Sequence, residues 1–113
     1  MSKYVAVVDD DGSIRAALTD LLRACGFATR AFASADDFLA VLSSGMPDCL
    51  VVDVEMPEMS GLELQRELSR RGVRMRIVVI SGNDHYRKQS RELGAAAYLV
   101  KPIGRDALIA AIA

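Results

Sequence analysis

Several features are scarce in this sequence, and each scarcity excludes a class of protein. There are 2 cysteines, Cys25 and Cys49, with no CxxC pair and a single histidine, so the sequence predicts two buried thiols and no zinc site. No apolar run reaches the ~18 residues that cross a bilayer, and the N-terminus turns acidic too early for a signal peptide. We therefore expect a cytoplasmic protein without membrane contact.

The charges are balanced rather than basic. Lys and Arg number 14 against 15 Asp and Glu, and the basic residues are scattered along the chain. A nucleic-acid surface needs a concentrated basic patch, so this domain is not expected to bind nucleic acid directly. With 113 residues, 51% of them hydrophobic, the chain is predicted to form one domain spanning 1–113. Because no helix terminus or linker precedes Ala113, we expect the domain to be cut within its last helix.

Short valine-rich runs alternate with amphipathic segments throughout the chain. The runs predict strands at YVAVV, ATRAF, 49–54, RIVVIS and 97–100. The amphipathic segments predict a helix after each strand. The first is closed by Gly26, and the second is capped by Ser34 with Asp37 in the capping-box position. The other three are predicted near 61–71, 85–93 and 105–113. This alternation is typical of an α/β protein with a parallel sheet and helices on both faces.

Polar residues follow four of the predicted strands. Asp9 and Asp10 follow the first strand, and Asp53, Ser81 and Lys101 lie at the ends of later ones. In a doubly wound sheet the carboxyl ends of the strands meet at one edge, where ligands bind. We therefore expect these five residues to converge on one site.

Three carboxylates on one edge would repel each other unless something offsets their charge. Hard oxygen ligands suit Mg²⁺, which commonly binds one or two carboxylates and retains several waters. A carboxylate can also accept a phosphoryl group to form an aspartyl phosphate. Lys101 would then neutralise phosphoryl oxygens, and the Ser81 hydroxyl would donate a hydrogen bond to one.

Four motifs in order resemble one known family. VVDDD, VVDVEMPEMSG, ISG and AYLVKP together resemble the response-regulator receiver domain of two-component signalling, over essentially the whole chain. The resemblance implies a flavodoxin-like, doubly wound, five-stranded parallel sheet in the order 2-1-3-4-5. It also implies a phosphorylation switch rather than an enzyme, in a bacterial protein linked to transcription regulation.

The resemblance assigns the metal ligands and the phosphoacceptor. Asp53 matches the residue that takes the phosphoryl group. Asp10 and Asp53 would bind Mg²⁺ directly, the backbone carbonyl of Glu55 would supply another ligand, and Asp9 would act through a bound water.

The same resemblance assigns the residues that read out the phosphate. Lys101 matches the family lysine, and Pro102 matches a position that is commonly a cis-proline. Ser81 and Tyr98 match the pair that moves on activation, with Tyr98 turning inward. The implied partners are a sensor histidine kinase or phosphotransfer protein, and an output domain or second copy contacting the fourth helix, fifth strand and last helix.

Two positions depart from the family pattern. Only 20 positions separate Ser81 from Lys101, about two fewer than expected, so the fourth loop and helix should be short. Glu55 places an acid two residues after the phosphoacceptor, where it would alter metal binding or the lifetime of the phosphate.

Two other functions fit parts of the sequence. DDDGS matches the DxDG[ST] opening of haloacid-dehalogenase-like phosphatases, with Asp9 as nucleophile and Asp11 as acid/base. That family needs a later acidic motif, and after Lys101 the chain offers only Asp106. A receiver-like interaction module that is never phosphorylated is the third hypothesis.

Overall fold

Five strands and five helices alternate along the chain in the computed structural model, which describes residues 3–113. The strands are β1 (Tyr4–Val8), β2 (Ala28–Phe32), β3 (Cys49–Asp53), β4 (Arg76–Ser81) and β5 (Ala97–Val100). The helices are α1 (Gly12–Ala24), α2 (Ala35–Val41), α3 (Gly61–Arg70), α4 (Arg87–Glu92) and α5 (Arg105–Ile112), and a short 3-10 turn, Leu42–Ser44, follows α2.

All strand pairs are parallel, in the order β2-β1-β3-β4-β5. The predicted doubly wound sheet and its strand order are confirmed. Val7 pairs with Val51, and Val51 with Val78, so the three central strands share one register. This register aligns the carboxyl ends of β1, β3 and β4 at one edge.

Successive side chains of each strand point to opposite faces, which gives the sheet two cores. On one face Val5, Val51 and Ile80 pack with side chains from α1 and α5. On the other, Ala6 and Val52 pack with side chains from α2, α3 and the residues that flank α4. The central strands can be apolar throughout because both faces are covered.

Most helix ends follow local sequence signals. Gly26 closes α1 in a left-handed conformation, with φ of 92°, as predicted. Ser34 caps α2 by accepting the Asp37 N–H, although the reciprocal bond of a full capping box is not recorded there. A complete capping box, which we did not predict, joins Ser60 and Glu63 at the start of α3.

Three sequence predictions need correction. Helix α4 begins at Arg87 rather than near residue 85, because residues 82–86 form bends and turns. Strand β3 ends at Asp53 rather than at Val54. Of the two thiols expected to be buried, Cys49 is buried and Cys25 is partly exposed. No helix within residues 3–113 has the length and apolarity needed to span a membrane.

Candidate functional site

The carboxyl ends of four strands bring the predicted polar residues to one edge of the sheet. Asp9 directly follows β1, and its N–H donates to the Phe32 carbonyl at 3.1 Å. Asp53 is the last residue of β3. Lys101 follows β5, and its N–H donates to the Ser81 carbonyl at 2.8 Å. Backbone hydrogen bonds of the sheet therefore position residues that are remote in sequence.

Lys101 bridges the two buried carboxylates of the site. Its Nζ lies 3.3 Å from Asp9 Oδ2 and 3.3 Å from Asp53 Oδ1. Asp9 is 0% exposed and Asp53 is 3% exposed. These contacts are longer than the about 2.7–2.9 Å of strong charge-assisted hydrogen bonds, and neither oxygen has another hydrogen-bond partner within residues 3–113. Both oxygens are thus only partly satisfied by the protein.

Burial and crowding of charge shift the proton affinities in this site. Desolvation, followed by the neighbouring Asp9 charge, raises the pKa of Asp53 to about 6, against the opposing effect of Lys101. Burial alone would lower the pKa of Lys101, but the carboxylates of Asp53 and Asp9 outweigh it and hold that pKa above its ordinary value. Near neutral pH the site therefore contains a charged lysine and an Asp53 carboxylate that is mostly ionised.

The acidic residues fit a hard divalent cation. Carboxylate oxygens of Asp9, Asp10 and Asp53 all lie within 4.8 Å of one another, around a cavity of about 280 Å³. Asp10 is exposed, whereas Asp9 is buried and its Oδ1 already accepts the Asp11 N–H at 2.9 Å. This set of oxygens, two of them without a short hydrogen bond, suits Mg²⁺.

Ser81 is fully buried, and its hydroxyl is turned towards Glu55. Ser81 Oγ donates to Glu55 Oε1 at 3.1 Å, and Asn83 Nδ2 lies 3.4 Å from the same oxygen. Glu55 lines the acidic cavity, so its side chain connects the loop after β3 with the end of β4. Sequence analysis placed Ser81 and Glu55 at the site separately but did not predict this contact, and it did not single out Asn83.

Tyr98 points inward in this structure. It is 8% exposed, and its hydroxyl donates to the Asn83 carbonyl at 2.6 Å. The guanidinium carbon of Arg87 lies 4.9 Å from the centre of the Tyr98 ring, and Arg87 Nη1 donates to the Tyr98 carbonyl at 3.3 Å. Tyr98 therefore connects β5 to the loop after β4 and to α4. Arg87 was not predicted from the sequence, because an arginine at the start of a short helix carries no distinctive signal.

Gly61 is a site residue that sequence analysis overlooked. A Cβ at this position would lie 3.0 Å from Val54 Cα and would press on the carbonyl oxygen of Asp53. The Gly61 N–H donates to the Val54 carbonyl at 3.0 Å, which draws the start of α3 against the end of β3. The available signal was the turn MPEMSG, which follows the strand ending at Asp53 and itself ends in Gly61.

Two further predictions concern residues at the rim. The Lys101-Pro102 peptide bond is cis, as the resemblance implied.

Asp11 acts as the N-cap of α1: its Oδ1 accepts hydrogen bonds from the Ser13 hydroxyl and from the N–H groups of Ser13 and Ile14. The Ser13 hydroxyl and these backbone bonds lower the pKa of Asp11. A capping carboxylate of lowered pKa is poorly suited to the acid/base role that the phosphatase hypothesis requires.

Comparisons with known proteins agree with the resemblance. The family model described as "Response regulator receiver domain" matches residues 5–113. The transcriptional regulatory protein FixJ of Azorhizobium caulinodans is 41% identical over 113 residues, covering 96% of this chain and 52% of FixJ. The response regulator protein TodT of Pseudomonas putida is 36% identical, covering 98% of this chain and 50% of TodT. The chain thus spans about half the length of these curated relatives.

Solved structures give the same result. The crystal structure of FixJ-N superposes with a TM-score of 0.92 at 32% identity, covering 99% of this chain and 91% of that chain. A response regulator receiver protein from Burkholderia phymatum superposes with a TM-score of 0.85 at 38% identity, covering 98% of this chain and 95% of that chain.

Proposed function

Because this chain belongs to the response-regulator receiver family of two-component signalling, we propose that Asp53 accepts a phosphoryl group and that this modification switches a protein surface. The observation that carries the proposal is the contact of Lys101 with both Asp9 and Asp53 at the carboxyl edge of the sheet. A cation between two buried acids prepares the site to receive further negative charge. The domain would act in signalling and would catalyse only its own phosphorylation and dephosphorylation.

The proposed transfer forms an acyl phosphate. An Asp53 carboxylate oxygen attacks the phosphorus of a phosphohistidine, the P–N bond breaks, and its electron pair returns to the donor imidazole, which takes up a proton. A pKa of about 6 leaves Asp53 mostly ionised near neutral pH, as a nucleophile requires. Mg²⁺, when held by Asp10, Asp53 and the Glu55 carbonyl, with Asp9 acting through water, would offset the charge of the phosphoryl oxygens.

Lys101 and Ser81 would hold the transferred group. The Lys101 ammonium already lies 3.3 Å from Asp53 Oδ1, so it is placed to pair with an oxygen attached to that carboxylate. Ser81 Oγ now donates to Glu55 and would have to leave that partner to donate to a phosphoryl oxygen. Glu55 therefore competes with the phosphoryl group for Ser81, and its negative charge would also affect the lifetime of the phosphate.

The proposed readout runs from Ser81 to Tyr98. A phosphoryl group adds roughly −1.5 to −2 charge and three acceptor oxygens, which would draw Ser81 and the following loop towards it. Tyr98 is hydrogen-bonded to the Asn83 carbonyl in that loop and contacts Arg87 of α4. Movement of the loop would therefore be transmitted to the α4-β5-α5 surface. The phosphate would shift the populations of the two conformations of that surface.

The proposed partners follow from the family. A sensor histidine kinase or phosphotransfer protein would donate the phosphoryl group. The α4-β5-α5 surface would contact an output domain or a second copy. Because FixJ is named a transcriptional regulatory protein, we propose that the output of this domain is also transcriptional, with DNA contacts made outside residues 1–113.

The decisive experiment measures the intact mass of the domain after incubation with acetyl phosphate, with Mg²⁺ or with excess EDTA. We expect one phosphoryl adduct that requires Mg²⁺ and is lost in Asp53→Asn. Asp11→Asn is the matched control, because it removes an acid from the rim of the same cavity but should retain the adduct. An adduct formed equally in EDTA, or retained by Asp53→Asn, would contradict the proposal. The absence of any adduct would favour the interaction module, and steady phosphate release through Asp9 would favour the phosphatase.

A further inference from the structure

A second cavity, of about 440 Å³, lies far from the acidic site. It is formed by the C-terminal half of α3, the loop between α3 and β4, the start of β4 and the two residues that follow α4. It shares no lining residue with the acidic cavity. Its volume falls within the about 300–1,000 Å³ that is usual for small-molecule sites. Since it adjoins the beginning of β4, it lies at the opposite end of this strand from Ser81.

The short fourth helix explains why this cavity is open. Helix α4 has only 6 residues, and Gly94, with φ of 97°, turns the chain away directly after it. The helix therefore makes only a short contact with α3, and apolar side chains from around the two helices line the cavity. These side chains are Leu68, Val73, Met75, Ile77 and Leu93.

A buried polar group interrupts this apolar lining. Gln65 of α3 is 1% exposed and lines the cavity. Its Nε2 donates to the Ser90 carbonyl of α4 at 3.1 Å, but its Oε1 receives no hydrogen bond within residues 3–113. Buried amide oxygens in folded proteins nearly always have a partner, and Gln65 Oε1 lacks one although it is closed to solvent. The buried Ser90 hydroxyl on the facing helix also lacks a partner. The Gln65 amide is therefore held on one side only, by its bond to the Ser90 carbonyl.

Arg74 supplies an uncompensated positive charge at the cavity. It is exposed, and its side chain has no hydrogen-bond or ion-pair partner within the described part of the chain. The nearby Arg70 and Arg71, in contrast, both pair with Glu67. Segment 66–76 contains five arginines and a single acid, so the potential around the cavity favours an anion.

We propose that this cavity binds a small amphipathic anion. The apolar body of the ligand packs on Leu68, Ile77 and Leu93, and its carboxylate pairs with Arg74. The Gln65 amide turns towards the cavity on binding, and its Oε1 then accepts a hydrogen bond from a hydroxyl at the inner end of the ligand. The ligand would also connect α3 to α4, the helix that carries Arg87 and its contact with Tyr98. This site shares no lining residue with the acidic cavity, and binding there requires neither the Asp53 carboxylate nor the proposed phosphorylation.

The test uses 4-hydroxyphenylacetate as the probe and follows backbone amide shifts by ¹H–¹⁵N NMR. We expect saturable shifts centred on Gly72, Leu93 and Gly94. Phenylacetate, which lacks the hydroxyl, should bind about two- to tenfold more weakly, the range for one hydrogen bond. The uncharged 4-hydroxyphenethyl alcohol should bind about two- to fivefold more weakly, the range for an exposed ion pair.

Variants assign each effect to its residue. Arg74→Gln should remove the advantage of the carboxylate, whereas the matched control Arg66→Gln, on the same helix segment but outside the cavity, should retain it. Gln65→Leu should remove the advantage of the hydroxyl. If Gln65→Leu fails to fold, the comparison of the three probes and the two arginine variants still test whether the cavity binds the anion as proposed.

The outcomes are distinguishable. Shifts that do not saturate, shifts centred on Gly82 beside Lys101, or equal losses in Arg74→Gln and Arg66→Gln would each overturn the proposal. Because Asp53→Asn leaves this cavity intact, unchanged probe binding in that variant would separate this site from the phosphorylation site. Loss of probe binding in Asp53→Asn would overturn the claim of independence.

Discussion

Replacing Asp53 by asparagine in the metal-free protein should raise the free energy of unfolding at neutral pH. The carboxylate is 3% exposed and lies beside buried Asp9, and the pKa of Asp53 is raised from 3.8 to about 6. A raised carboxyl pKa means that the folded state holds its proton more tightly than the unfolded chain does. Between about pH 4 and pH 6 the folded state binds more protons, so its stability falls as the pH rises.

The magnitude follows from the same pKa. The difference between 3.8 and about 6 corresponds to about 3 kcal/mol, at about 1.36 kcal/mol for each tenfold change in proton affinity. The cavity opens to solvent at exposed Asp10, which screens part of this effect, so we expect a gain of about 1–3 kcal/mol above pH 6. The gain should shrink as the pH falls through 6 and be nearly absent below about 4, where Asp53 is neutral in both states.

Urea unfolding followed by circular dichroism in EDTA, at pH 7.5 and pH 4, measures this difference. Asp20→Asn is the matched control, because exposed Asp20 on α1 loses the same charge outside the site and should change stability little at either pH. Saturating Mg²⁺ should stabilise the wild type by about 2.7 kcal/mol at a hundredfold excess over Kd, and Asp53→Asn by less. An Asp53→Asn variant that is less stable than wild type at pH 7.5, or equally stabilised at pH 4, would refute this reasoning.

Three further variants test other contacts of the site. Gly61→Ala should lose about 1–3 kcal/mol in urea unfolding and slow phosphorylation, because the added Cβ would press on the backbone of Asp53. Tyr98→Phe should lose about 0.5–1.5 kcal/mol, because it removes the 2.6 Å hydrogen bond to the loop after β4. In metal titrations, Asp10→Ala should weaken Mg²⁺ binding more than Asp9→Ala does, because a direct ligand loses a metal bond and a water-bridged one loses a hydrogen bond.

Each of these variants has a control on the same chain. Gly104→Ala adds a Cβ where no atom lies within 4 Å and should be tolerated. Tyr86→Phe removes a hydroxyl with no recorded partner in residues 3–113, so it should change stability less than Tyr98→Phe. Asp11→Ala should affect Mg²⁺ least, although losing the N-cap of α1 should cost about 0.5–2 kcal/mol. A dominant Asp11 effect on Mg²⁺ binding would support the phosphatase hypothesis.

The order of elements and the edge that carries the site were predictable from the sequence. Valine-rich runs such as YVAVV and RIVVIS are long enough for strands but too short for helices, and each is followed by polar residues or a turn. Parallel strands must end on the same edge, so Asp9, Asp53 and Lys101 had to lie along one edge once the sheet was parallel. The strand order itself came from resemblance to a family, because periodicity does not reveal which strands are neighbours.

Other features depended on contacts through space. Glu55 and Ser81 are 26 positions apart, and only the packing of the loop after β3 against the end of β4 makes them partners. Gly61 looks like an ordinary turn residue until α3 lies against the backbone of Asp53. Local pattern sets the type of each element, whereas the orientation of side chains between elements depends on how the elements pack.

The two cavities differ in the same way: one was predictable from the sequence, and the other depended on tertiary packing. Clustered acids in the sequence predicted the acidic site, because strand ends converge by topology. The cavity beside Gln65 had no sequence signal, since a glutamine within a helix is usually exposed. Its burial results from the packing of α3 on the sheet next to the six-residue α4, to which Gln65 is hydrogen-bonded, and that arrangement is set only when the chain is folded.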